Sequence, residues 1–281
     1  SDYLKLIRWK NLLFIILIQW LMQHAVVYPL LQTFGFETVQ HHSFYLLLMA
    51  ASVLIAAGGY VINDYFDVKI DRINKPTEVI AGEAVPLASA MLLYQILTAL
   101  GTVTGLIISF LSGSFTLGFI FILTPGLLWF YSASYKRQFL VGNLIVSLSS
   151  ALSVLLVGVL AVALLNNEYS RDLLSQTPVP ANIYGWTGGF AAFAFMLTWI
   201  REIIKDMEDR EGDMEMECRT MPIKWGESKT KYFLYALIVF TITVLIYVNW
   251  RFIGFEGNFT TRYLAVGIVL PLIILSFIIF K

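Results

Sequence analysis

Cysteine and charge are both scarce in this chain. A single cysteine, Cys218, in 281 residues excludes an internal disulfide and falls short of a thiolate metal site. Charged residues make up 14% of the sequence, against about 25% in soluble domains. The 19 basic and 19 acidic residues cancel, so no global field favours nucleic acid, and no nucleic-acid partner is expected. Histidine is rare too. His24 reads as a packed, hydrogen-bonded side chain, and His41 with His42 lacks zinc-site spacing. Sustained two-residue alternation is missing, which argues against a transmembrane barrel. No short apolar stretch with a small-residue cleavage site opens the chain, so its first apolar segment is expected to be retained.

Apolar sequence is abundant, at 58% of residues. A membrane span needs roughly 20 mainly apolar residues. Eight stretches qualify: 11–31, 43–62, 87–111, 115–131, 141–165, 183–204, 231–250 and 262–280. The third and fourth are separated only by Ser112-Gly113-Ser114, a tight helical hairpin. The expectation is an all-α, multi-pass transmembrane helical bundle, one domain over residues 1–281. With the N-terminus inside, 16 of the 19 basic residues fall on the inside, and only Arg171, Arg251 and Arg262 fall outside. Such an asymmetry orients the chain with its N-terminus and the 63–86 and 205–230 segments in the cytoplasm.

Two acidic clusters lie on that side. In NDYFDVKID, Asp64, Asp67 and Asp71 are spaced three and four apart, and Asp206, Asp209 and Asp213 repeat the spacing in KDMEDREGD. At about 100° per residue, each triad fits within about 60° of one helix face. Glu202 extends the second face. Like charges so close to apolar sequence are costly without a cation. Hard oxygen donors suit Mg²⁺, often completed by substrate phosphates. A juxtamembrane acid otherwise marks a solvated helix end; the second copy on the same side favours the ligand reading. Two such faces across one cavity would hold a polyphosphate and neutralise its leaving charge.

These residues carry a resemblance. The stretches NDYFDVKIDRINKP (63–76), REIIKDMEDREGD (201–213) and RTMPIKWG (219–226) resemble the signature motifs of the UbiA superfamily of intramembrane prenyltransferases. Their wording is most similar to the digeranylgeranylglyceryl phosphate synthase branch. YSASYKRQFLVGN (131–143) resembles the Tyr-and-Lys motif of that superfamily, and RWKN (8–11) the approach to its first helix. Two features depart from the pattern. The run KPTEVIAGEA (75–84) replaces an Arg-Pro-rich segment, and eight spans are visible where the family has nine.

The resemblance implies a central cavity open to the cytoplasmic side and a polyprenyl diphosphate donor. Mg²⁺ would be held by Asp64, Asp67 and Asp71 on one face and by Asp206, Asp209 and Asp213 on the other. Tyr131 would face an allylic cation, with Tyr135 competing for that role. Asn63, Lys136, Arg137, Arg72, Lys75, Arg8, Asn11 and Glu202 are the implied substrate contacts. Lys69, Arg72 and Arg210 lie inside the acidic stretches, where charge balancing is the simpler reading. The implied acceptor is a prenylglyceryl phosphate or, as the alternative, an aromatic compound of quinone biosynthesis, reached from the membrane lipid. A cation transporter is the alternative of another class, but its acids would lie near the midplane on broken helices. A CDP-alcohol phosphotransferase would need a DGxxAR opening, which is absent.

Overall fold

The computed structural model describes residues 2–36, 41–74, 76–77, 79–253 and 262–280. A short helix α1 (Asp2–Leu6) leads into α2 (Trp9–Leu21), which passes through a π-helical stretch (Met22–Val27) into α3 (Tyr28–Thr33). Pro29 explains that stretch, because its ring clashes with the carbonyl four residues back and removes a hydrogen bond. The wider π turn, with the Tyr28 amide donating to the Gln23 carbonyl, absorbs the clash without breaking the rod.

The remaining elements are α4 (His42–Asn74), α5 (Leu87–Leu111), α6 (Phe115–Ala133), α7 (Val141–Tyr169), α8 (Arg171–Ser175), α9 (Val179–Glu208), α10 (Arg210–Glu215), α11 (Met221–Trp225), α12 (Glu227–Val248) and α13 (Leu270–Phe280). The described residues contain no β-strand. Seven of the described helices are long and apolar enough to cross a membrane, and Tyr263–Ile279 forms a shorter apolar eighth. The hairpin between α5 and α6 turns at Gly113, whose φ of 63° is the left-handed conformation open to glycine.

The helices run past the apolar stretches that mark them in the sequence. The second segment, expected over 43–62, extends to Asn74, so the first acidic cluster lies within α4 and not beyond it. Nothing in NDYFDVKIDRIN breaks a helix, and Pro76 follows two residues after its end.

Two tight pairs dominate the bundle, α4 on α5 and α7 on α9. Small residues allow this approach. A Cβ on Gly158 of α7 would lie 2.3 Å from Thr187 Oγ1 of α9. One half of the bundle is sealed by a large apolar cluster that includes Leu48, Ile108, Phe121, Leu160 and Ile183. At the other end, Ile200, Ile203, Leu234 and Leu272 tie α9, α12 and α13 together, while Leu6 and Val61 bind the N-terminus to α4. Between these two smaller clusters the bundle opens.

Candidate active site

The opening is a cavity of about 1310 Å³. Asp64, Asp67 and Asp71 of α4 all line it, as the three-and-four spacing requires of one helix face. Asn63 lines it too, and its Oδ1 is buried without a hydrogen-bond partner. Lys69, between Asp67 and Asp71, is exposed.

The second acidic stretch enters from α9. Glu202, Asp206, Asp209 and Asp213 line the same cavity. The expectation of one continuous helix through this triad needs a correction. The helix is interrupted at Asp209, with φ −86° and ψ 7°, and α10 begins at the next residue. Gly212, a poor helix former three residues on, weakens the turn. Even so, the Asp209 amide donates to the Lys205 carbonyl at 2.9 Å and the Asp213 amide to the Asp209 carbonyl at 3.1 Å. The helical path therefore bends without losing the shared face.

Basic side chains from two separate stretches of the chain meet these acids. Arg8, before α2, donates through Nη2 to Asp64 Oδ1 at 2.7 Å and lies over the Tyr60 ring, 5.1 Å from its centroid. Its φ of 52° is left-handed, an uncommon conformation for arginine that aims the side chain back at α4. Burial pulls its pKa down, but the pairing with Asp64 outweighs this and leaves it above the ordinary guanidinium value. Lys136, on the short 3₁₀ turn Tyr135–Arg137 after α6, is paired with Asp67. Burial lowers the Lys136 pKa despite that partner. Arg137 also lines the cavity, with its Nε buried and unpartnered, and its carbonyl accepts from the Arg219 amide at 2.8 Å. That bond docks the segment after the second acidic stretch onto the turn that carries Lys136.

Tyr131 lines the cavity within electrostatic reach of Lys205 and Glu202. Asp213 is pushed up to about 6 by burial and then by the neighbouring Asp209. Cys218 also lines the cavity, and burial with Asp213 nearby lifts its thiol to about 11, so it stays protonated.

Three predicted contacts stand apart from this group. Arg72 points to the surface and pairs with Glu83 at 2.6 Å. Both side chains are more than half exposed, so surface charge balancing accounts for this arginine. Asn11 is not among the cavity-lining residues, and Tyr135 packs against Phe130 at 6.0 Å between ring centroids. Lys75 lies outside the described residues. Conversely, Lys205 and Asn143 line the cavity without an assignment from sequence. Lys205 sits in electrostatic range of Tyr131, Glu202, Asp209 and Asp67. Its position one residue before Asp206 was a usable signal, obscured by the many basic residues at this end of the bundle. Asn143, in the first turn of α7, donates to Asp206 Oδ2 at 2.9 Å.

This donor set is all hard oxygen, which suits Mg²⁺. Among the described residues no three acidic, His or Cys side chains converge on a single point. A cation here therefore needs further oxygens from water or phosphate, and the unpartnered Asn63 Oδ1 is an additional donor beside the triad. Away from the charges, Leu197, Ile200 and Ile204 of α9 with Leu272 and Leu275 of α13 give the cavity an apolar wall. One space thus offers anion-binding cations, metal-compatible acids and a surface for a hydrocarbon chain.

Several known proteins are similar to this chain in sequence or in fold. Two relatives are digeranylgeranylglyceryl phosphate synthases. The one from Sulfurisphaera tokodaii is 31% identical over 230 residues, covering 82% of this chain and 74% of that protein. The one from Sulfolobus acidocaldarius is 34% identical over 232 residues, covering 83% and 74%. A solved structure of a digeranylgeranylglyceryl phosphate synthase superposes with TM-score 0.57 at 26% identity, covering 99% of this chain and 85% of that one. The Archaeoglobus fulgidus UbiA homologue solved with GPP and Mg²⁺ shares the fold, with TM-score 0.61, 19% identity and coverage of 99% and 87%. The model of the UbiA prenyltransferase family matches residues 25–281. The chain belongs to the UbiA prenyltransferase family.

Proposed function

We propose that this prenyltransferase moves a geranylgeranyl-type group from its diphosphate to the free hydroxyl of a prenylglyceryl phosphate. The observation that carries the reading is the meeting of both acidic triads, Lys136, Arg137 and Lys205 in one cavity with an apolar wall. The names of the Sulfurisphaera and Sulfolobus relatives support the glyceryl phosphate acceptor over an aromatic one.

In this reading residues 1–281 work as one transmembrane domain. Asp64, Asp67 and Asp71 form one metal face, and Asp206, Asp209 and Asp213 the other. Bound Mg²⁺ supplies charge neutralisation for the departing diphosphate. Asn63 adds an oxygen donor. Lys136, Arg137 and Arg8 receive the diphosphate oxygens as negative charge grows there. The C1–O bond of the allylic diphosphate breaks with its electron pair on the leaving oxygen. Tyr131 turns its ring toward the cationic carbon. The acceptor oxygen then forms the new C–O bond, and its proton passes to the departed diphosphate. Glu202 and Lys205 hold the electrostatic setting around Tyr131. The apolar wall keeps the prenyl chain in place and water away from the cation. The basic asymmetry of the chain supports an active site facing the cytoplasm, supplied with both substrates from the membrane.

The test is purified protein with geranylgeranyl diphosphate, with and without Mg²⁺, offered geranylgeranylglyceryl phosphate or a hydroxybenzoate. Mg²⁺-dependent formation of the diether phosphate is expected. Prenylation of the aromatic acceptor alone would overturn the acceptor assignment, and ion flux in liposomes without any transfer would overturn the enzyme reading.

A further inference from the structure

The two acidic stretches are joined by an amide clip. Asn74, the last residue of α4, donates from Nδ2 to the Asp209 carbonyl at 3.1 Å. Its Oδ1 accepts from the Gly212 amide at 2.9 Å. Both partners belong to the backbone of the second stretch, at the point where α9 gives way to α10. Gly212 is in the first turn of α10, where amides lack an acceptor within the helix. Asp209 stands at the N-cap, a position where aspartate commonly supplies that acceptor. Here its side chain makes no cap hydrogen bond. Asn74 takes over the capping from another helix, and the Asp209 side chain lines the cavity instead. Contact this close needs glycine at 212, since a Cβ there would lie 2.5 Å from Asn74 Oδ1.

We infer that Asn74 and Gly212 form a positioning pair that sets the second acidic face at a fixed distance from the first. Asn74 follows Asp71 by one helical turn, and Gly212 directly precedes Asp213, so the clip ties a residue next to one triad to a residue within the other. It fixes the distance between the end of α4 and the α9–α10 junction, and neither residue lines the cavity. The inference rests on the proposed metal-diphosphate reading of these triads. Losing the clip leaves the same ligands but lets the faces separate, so metal binding weakens more than maximal turnover does.

The experiment follows thermal unfolding of the detergent-purified protein as Mg²⁺ is titrated at fixed inorganic diphosphate, which gives a half-saturating Mg²⁺ concentration without catalysis. Asn74→Ala is expected to raise that concentration about tenfold, equivalent to about 1.4 kcal/mol. Asn74→Asp keeps an acceptor for the Gly212 amide but loses the donor to Asp209, and is expected to raise it by less. Gly212→Ala should resemble Asn74→Ala, and the double variant should be no worse than either single one, because both remove one contact. Ser114→Ala, which removes a distant helix cap, is the control for general destabilisation. It should lower the melting temperature without moving the Mg²⁺ dependence. The clip is refuted if all folded Asn74 and Gly212 variants stay within twofold of wild type in half-saturating Mg²⁺. If Asn74→Ala does not fold, Asn74→Asp and Gly212→Ala decide the matter. Absence of prenyl transfer by wild type would remove the functional reading, while the Mg²⁺ titration would still decide the clip.

Discussion

Arg8 holds Asp64 at 2.7 Å, across 56 residues of sequence and from a left-handed backbone conformation. A cation of the protein thus sits on a carboxylate of the first triad, and Lys136 does the same at Asp67. Both carboxylates are partly or fully withdrawn from water, where an uncompensated charge is expensive. The protein's own cations balance the triad when no metal does.

This balance predicts a conditional stability effect. Arg8→Gln should lower the melting temperature in EDTA and do so much less in saturating Mg²⁺ without diphosphate, because the metal then compensates Asp64. Equal losses under both conditions, measured by thermal unfolding, would show that Arg8 acts only as a structural tie.

The two triads should be equally indispensable. Asp67→Asn and Asp209→Asn keep side-chain volume and remove one charge each, from opposite faces. Each is expected to reduce transfer by about 10²–10³-fold, the scale of losing one electrostatic contact to developing charge. Product formation from radiolabelled geranylgeranyl diphosphate checks this, and wild-type rates in either variant would end the two-face mechanism.

Lys205 offers a test of a residue that the motifs alone do not pick out. Lys205→Met preserves length and apolar bulk but deletes the cation beside Tyr131, Glu202, Asp209 and Asp67. Turnover should fall at least about tenfold. The decrease should appear in kcat more than in donor KM, read from steady-state rates, because the charge faces the reaction centre.

Acid should act in opposite directions on the free and metal-loaded protein. Burial raises Asp213 to about 6, above its value in an unfolded chain. The folded protein therefore binds the extra proton more readily, and this contribution to stability is lost as pH rises through about 6. Without metal, melting temperature should rise as pH is lowered from 7.5 toward 5. The Mg²⁺-induced increase should shrink over the same range, since protons compete for the carboxylate. Parallel trends in the two titrations would contradict this assignment.

Much of the architecture is legible from local pattern. Apolar length marks the spans, because lipid demands that each crossing segment satisfy its own backbone. The spacing of Asp64, Asp67 and Asp71 places them on one face, because helical periodicity acts within a single element. The acidic wording also carries the family resemblance, which the relatives bear out. Helix ends were less legible, since α4 and α9 continue as polar helices beyond the apolar stretches that reveal them.

Partners between elements depended on the tertiary structure. Arg72 sits amid the first acidic stretch yet turns outward to Glu83, while Arg8, far away in sequence, reaches Asp64. Asn143 to Asp206 and Asn74 to the Asp209 carbonyl span 63 and 135 residues, and neither asparagine has a periodic or charge signal to announce it. Sequence by itself determined the membrane helices, the two acidic faces and the family, because each rests on periodicity or composition along one segment. Only the packing of α4 against the α9–α10 bend decided which cations balance those faces and what ties them together, because side chains on separate helices meet according to how the whole bundle closes.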